Sequence, residues 1–181
     1  ELLMELPDTN EYGACYSRSG HMLVYGSVQH HSLAGIAKLH GSGSGTRNEI
    51  LYVSDVVGGE PVALNASPGP VGNPSFSTDG STVLFEAVVE RNLDVWAMDV
   101  DGRNRRRLTT AAEDDGQPVA HPDGTSIVFL RRLDERFDLM SMAVDGTNVE
   151  QVTRTPFHEF AGTFSPDGRA FVYVRQLDGN K

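Results

Sequence analysis

The stretch Pro74-Ser75-Phe76-Ser77-Thr78-Asp79-Gly80 returns, with changes, as Pro118-Val119-Ala120-His121-Pro122-Asp123-Gly124 and as Gly162-Thr163-Phe164-Ser165-Pro166-Asp167-Gly168. The closing glycines fall 44 residues apart both times. A period between about 40 and 50 residues, carrying short apolar runs and tight turns, marks a repeating β unit. After the turn each copy continues with an apolar-aromatic run: Val83-Leu84-Phe85, Ile127-Val128-Phe129 and Phe171-Val172-Tyr173. A third run, Asp94-Val95-Trp96-Ala97-Met98 or Asp138-Leu139-Met140-Ser141-Met142, leads to the third turn of the unit, Asp101-Gly102 or Asp145-Gly146. Asp-Gly between such runs is a strong hairpin signal, because glycine accepts the positive φ the turn needs. The unit closes on Leu108-Thr109 or Val152-Thr153, which gives four antiparallel strands, the content of one propeller blade.

A divergent copy lies upstream, with Tyr16 to Gly20 at the first turn, Met22 to Tyr25 and Ile50 to Val53 as strands, and Gly58-Gly59 at the third turn. It carries an insertion of about fifteen residues between Tyr25 and Glu49, which a surface loop absorbs at small entropic cost. Leu2 to Leu6 reads as the last strand of a preceding blade, and the final copy stops before its third strand. Residues 1–181 therefore read as one all-β region, a β-propeller or propeller fragment of about four four-stranded antiparallel blades. The blades cover roughly 11–65, 72–110, 116–154 and an incomplete 160–181, with 1–10 belonging to the blade before.

Composition narrows the function. A net charge of -10 opposes general affinity for nucleic acid, which draws on clustered Lys and Arg. The local run Arg103, Arg105, Arg106 and Arg107 follows a turn and reads as a charged, solvated strand. No apolar stretch reaches the roughly 18 to 20 residues of a membrane-spanning helix. Cys15 is the single cysteine, so no disulfide forms within the chain, and its apolar setting suggests a small buried residue.

Pro-x-Phe-Ser-x-Asp-Gly, an apolar-aromatic strand, Asp-hydrophobic-aromatic, Asp-Gly and Leu-Thr together resemble the repeat of TolB-type β-propellers, closely over 73–178 and loosely over 12–65. The resemblance implies a periplasmic or secreted protein. It also spans different roles: protein-binding propellers, propeller domains of prolyl-oligopeptidase-type peptidases, and sugar-acid lyases, some using histidine-bound metal. Phe76, Asp79, Gly80 and Trp96 are scaffold on this reading.

Strand alternation puts the first and third turns of each blade on one face and the second turns and blade connections on the other. The first face is all tight turns and is expected to offer little grip, whereas variable loops on the second are expected to bind. There Glu11, Asp115 and Glu159 occupy equivalent positions, with Val71 the departure and Asp114 adjacent. Acids rimming a central channel would attract a divalent cation or a basic peptide. His30, His31 and His40 in the insertion, with His121 and His158, are the candidate metal ligands, and convergence of His121, His158 or His31 on one point is the test for metal-assisted chemistry. No G-x-S-x-G elbow or phosphate-cradling loop occurs. The expected function is non-catalytic binding of a protein or peptide through Glu11, Asp114, Asp115, Glu159, His30 and His31, without a cofactor. A metal-assisted carbohydrate lyase or a peptidase's propeller is the alternative, and open blade edges would favour self-association.

Overall fold

The computed structural model describes residues 9–29, 49–64 and 70–177, which form fourteen strands and no helix. Blade 1 comprises β1 (Thr9–Tyr16), β2 (Met22–Gln29), β3 (Glu49–Asp55) and β4 (Val62–Leu64). Blade 2 comprises β5 (Val71–Phe76), β6 (Thr82–Val89), β7 (Asn92–Asp99) and β8 (Arg106–Arg107). Blade 3 repeats it as β9 (Asp115–Ala120), β10 (Ser126–Leu133), β11 (Arg136–Ala143) and β12 (Glu150–Gln151). Blade 4 contributes β13 (His158–Phe164) and β14 (Phe171–Gln176). Each sheet pairs in chain order, antiparallel throughout, so the architecture is the expected all-β propeller. The strand expected at Leu2 to Leu6, most of the insertion, and Asp178 to Lys181 lie outside the described residues. No helix of the described residues is long and apolar enough to cross a membrane.

The period-two pattern of each strand serves two neighbours at once. Val83, Phe85 and Ala87 of β6 face blade 1 and pack with Val24, Leu51 and Phe76. Leu84 faces the other way, with Val95 and Ala97 of β7, and meets Ile127, Phe129, Met140 and Met142 of blade 3. The core is therefore a series of inter-blade layers, which explains why these strands read as near-continuous apolar runs.

Each first turn closes the same way. Gly80, Gly124 and Gly168 donate their N–H to the carbonyls of Ser77, His121 and Ser165 at 2.8 to 2.9 Å, and Gly124 takes φ +76°. The turn aspartate accepts the N–H two residues on, Asp79 from Ser81, Asp123 from Thr125 and Asp167 from Arg169. These carboxylates are thus scaffold, and the hydroxyls of Ser77, Thr125 and Ser165, together with those N–H groups, hold all three below the usual carboxylate range.

The second turns of blades 2 and 3 are shorter than a binding loop. Two residues suffice, Glu90-Arg91 between paired Val89 and Asn92, and Asp134-Glu135 between Leu133 and Arg136. Glu90 and Arg91 adopt φ +54° and +70°, since a two-residue hairpin must match the strand twist with left-handed residues even without glycine.

Candidate functional site

All four inner strands interrupt their pairing with a β-bulge. The register shifts between Tyr12 and Cys15 in β1 and between Gly72 and Ser75 in β5. It shifts between Gly116 and Val119, the partners of Leu130 and Val128, in β9, and between Phe160 and Gly162 in β13. At the bulges Gly13, Asn73 and Gln117 have φ of +60°, +43° and +51°. For Asn73 and Gln117 that conformation costs on the order of 1 kcal/mol or more and persists because neighbours fix it. One such neighbour is Glu86 of β6. Its Oε1 accepts from the Asn73 amide at 2.8 Å and its Oε2 from the Gln117 backbone N–H at 2.9 Å, which ties two inner strands to one carboxylate. Burial pushes the Glu86 carboxyl up, and those two hydrogen bonds offset the rise in part.

Between the bulges lies a cavity of about 250 Å³ that takes lining from all four inner strands. Cys15, Asn73, Gln117 and Thr163 line it, along with Pro74 and Pro118. The Gln117 Oε1 is buried with no hydrogen-bond partner among the described residues. Cys15 is half-buried here, lining the cavity and packing against the layer between blades 1 and 2. A bulge leaves its extra residue outside the ladder, and in β9 the N–H of Gln117 goes to Glu86 instead.

Two of the acids expected at the rim, Asp115 and Glu159, turn inward between the blades. Asp115 is fully buried, and Arg131 of β10, directly opposite in register, donates from Nε to Oδ1 at 2.7 Å and from Nη2 to Oδ2 at 2.8 Å. Glu159 is fully buried opposite Arg175, whose Nε donates at 3.1 Å, and it accepts from the Thr153 and Thr155 hydroxyls at 3.0 and 2.7 Å. Asp114 stays on the loop face, accepting the Leu93 N–H at 3.2 Å beside Arg132 at 3.4 Å. The backbone of Glu11 lies in β1 opposite Ser27. His30, His31 and His40 lie outside the described residues. Asp115 and Glu159 therefore belong to two separate inter-blade clusters.

These clusters contain partners the sequence reading passed over. Asp94, fully buried at the start of β7, meets Arg107 Nη2 at 2.6 Å, so the last arginine of the basic run is an ion-pair member. Burial pushes Asp94 up, Arg107 opposes this, and Asp115 is close enough to add to the rise. One repeat on, Asp138, Gln151, Glu159 and Arg175 occupy the positions of Asp94, Arg107, Asp115 and Arg131. Between blades 1 and 2 the same four positions hold Ile50, Ala63, Val71 and Ala87. The set is charged together or apolar together, as expected where a buried charge without its partner is costly. The readable signal is the arginine sixteen residues after each acid: Arg131 after Asp115, Arg175 after Glu159, but Ala87 after Val71.

With Gln151 in place of an arginine, the last cluster holds two carboxyls against Arg175. Burial and the adjacent Glu159 push Asp138 up, whereas the Thr155 and Thr153 hydroxyls, Asp138 and Arg175 outweigh burial at Glu159 and hold it down. Asp138 Oδ2 accepts from Gln151 Nε2 at 2.8 Å, and its buried Oδ1 has no hydrogen-bond partner among the described residues.

The histidines separate. His121 sits at the tight-turn face, where Nε2 lies 3.1 Å from the Gly168 carbonyl and the ring packs edge-on to Phe164 at 4.6 Å. His158 begins β13 at the opposite face, stacked on Phe160 at 5.8 Å. A strand of this length spans about 20 Å, so these two do not meet at one metal. Among the described residues no three His, Cys, Asp or Glu side chains come together as a metal site.

Comparison with known proteins agrees with this architecture. The sequence pattern of the TolB beta propeller domain matches residues 35–181. The chain belongs to the TolB β-propeller domain family. No curated protein matches it significantly. Among solved structures, this TolB-family chain is similar to a TolB from Agrobacterium tumefaciens at 23% identity, with TM-score 0.75 over 94% of this chain and 60% of that one. It is similar to an oligogalacturonate lyase in complex with manganese at 22% identity, with TM-score 0.72 over 91% of this chain and 46% of that one. It also resembles a chain of a nidogen/laminin complex at 13% identity, with TM-score 0.71 over 96% of this chain and 59% of that one. The TolB-family chain thus spans about 60% of the length of the Agrobacterium TolB, and these likenesses concern the fold.

Proposed function

We propose that this TolB-family propeller is a non-catalytic recognition module, periplasmic or secreted, that holds a segment of a partner protein at the axis. The observation that carries the reading is the bulged inner ring. Four strands interrupt their ladders around one 250 Å³ cavity, where the neutral Asn73 and Gln117 amides stand and the Gln117 Oε1 has no hydrogen-bond partner among the described residues. Neutral donors and acceptors of this kind suit a peptide backbone, which carries one donor and one acceptor per residue. The buried ion pairs of Asp115 and Glu159 fit the same reading, as rigid support around the opening. Solved relatives include a TolB and a protein–protein complex, which supports recognition without deciding the partner.

The test is selection of displayed random peptides on the purified chain, repeated on Gln117→Ala. Peptides that saturate and lose at least tenfold in affinity on Gln117→Ala support the axis as the binding place. Titration of the chelator-treated chain with manganese, calcium and zinc is the counter-test. Stoichiometric metal binding that is lost on His31→Ala, with turnover of a uronate polymer, would replace recognition by metal-assisted carbohydrate chemistry.

A further inference from the structure

The tight-turn face, expected to offer little grip, carries a cleft of about 420 Å³ between blades 2 and 3. Its origin lies at one repeat position. The last inner-strand residue is Tyr16, Phe76, Ala120 and Phe164 in the four blades. Phe76 is buried in the layer between blades 1 and 2, where Met22 also reaches Gly80. Phe164 packs between blades 3 and 4 against His121 and Phe171 at 4.6 and 4.7 Å. Between blades 2 and 3 both contributors are small, Ala120 where the others place a ring and Ser77 where the next layer has His121. The cleft is thus the volume of side chains that the other two layers fill.

Its floor is apolar: Leu84 and Ile127 are buried, and Val144 lies at the edge. Asp79 and Asp123 stand at the mouth, both pinned by turn hydrogen bonds that keep them ionised. Arg106 forms part of the wall. Two carboxylates against one guanidinium leave the mouth net negative. The volume exceeds that of a single phenyl ring and leaves room for a neighbouring residue.

We propose that this cleft binds a peptide segment presenting an aromatic side chain next to a lysine or arginine. The ring takes the place left open by Ala120, and the basic group meets Asp79 and Asp123. This place is on the face opposite the second turns and blade connections, and it stands independently of the axial site.

The experiment is an NMR titration of the methyl-labelled chain, following Leu84, Ile127 and Val144. The probes are N-acetyl-Phe-Lys-amide, N-acetyl-Phe-Glu-amide and N-acetyl-Ala-Lys-amide. The expected result is a saturable shift with the Phe-Lys probe, at least fivefold weaker binding of the other two, and at least tenfold loss in Ala120→Phe, whose thermal midpoint stays at or above that of the parent. Should Ala120→Phe fail to fold, Ala120→Leu fills less of the cleft and gives the same readout. No saturable shift in the parent, equal binding of the Phe-Lys and Phe-Glu probes, or unchanged binding in a folded filled variant overturns the proposal.

Discussion

Asp115 and Arg131 make a two-pronged pair in which the carboxylate is fully buried and the arginine side chain is 15% exposed. Removing one partner of such a pair leaves an uncompensated charge, so Asp115→Ala is expected to destabilise the chain by about 3 kcal/mol. Val71 and Ala87 already show how the same two positions are filled without charge. The double variant Asp115→Val with Arg131→Ala should therefore recover at least half of the loss in chemical denaturation, and no recovery would contradict the paired reading. Asp138 gives a pH prediction. Its folded carboxyl titrates above its unfolded value, so the stability it contributes is complete at low pH and is lost as pH rises through the raised value. Asp138→Asn, which replaces the carboxyl with an amide that does not titrate, should flatten that decline, read as the difference between variant and parent from acid to mildly alkaline pH. A decline of equal slope in both would remove Asp138 as its source.

At the scale of the element, the turns and bulges set the shape. Gly124 has φ +76° with only the Thr78 Cβ as near as 3.8 Å, so Gly124→Val tests backbone strain alone. A loss of more than about 1 kcal/mol in thermal unfolding is expected, and an unshifted midpoint would sink the turn assignment. Gly162 is limited by space, since an added Cβ meets the Val172 carbonyl and the Phe171 ring, and Gly162→Ala should loosen blade 4 selectively, seen as faster amide exchange in β14. Turns, strands and their order were legible in the sequence because the repeat wrote each of them two or three times. The bulges were not, because Asn73 and Gln117 are ordinary residues whose left-handed backbone depends on Glu86, thirteen residues after one and thirty-one before the other. Glu86 itself was visible as a charge inside Val83-Leu84-Phe85-Glu86-Ala87-Val88-Val89, a run that otherwise reads as core. Acidic positions 115 and 159 were found from the repeat, but their destination depended on arginines on the neighbouring strand, and strand pairing is a relation that residue type alone does not carry.

Across the whole molecule the first turns join into a ring around the axis. The Thr78 hydroxyl donates to the His121 carbonyl at 2.7 Å, and His121 Nε2 contacts the Gly168 carbonyl at 3.1 Å. Arg18 reaches from blade 1 to the carbonyls of Pro122 at 2.7 Å and Pro166 at 3.4 Å. At the far side of blade 4, β14 leaves Val172, Val174 and Leu177 exposed at 67%, 59% and 65% on an edge without a further strand among the described residues. Such an edge invites pairing, so the chain should sediment faster as its concentration rises, and Val174→Lys should suppress this. Cys15 reports on binding at the axis, as the single thiol of the chain belongs to a residue that lines the cavity there. The measurement is the rate of Cys15 alkylation by N-ethylmaleimide with and without a display-selected peptide at saturation. At least tenfold protection of Cys15 by the peptide is expected, with loss of peptide binding once Cys15 is alkylated. An unchanged alkylation rate, with the peptide still bound to the alkylated chain, would place recognition away from the axis.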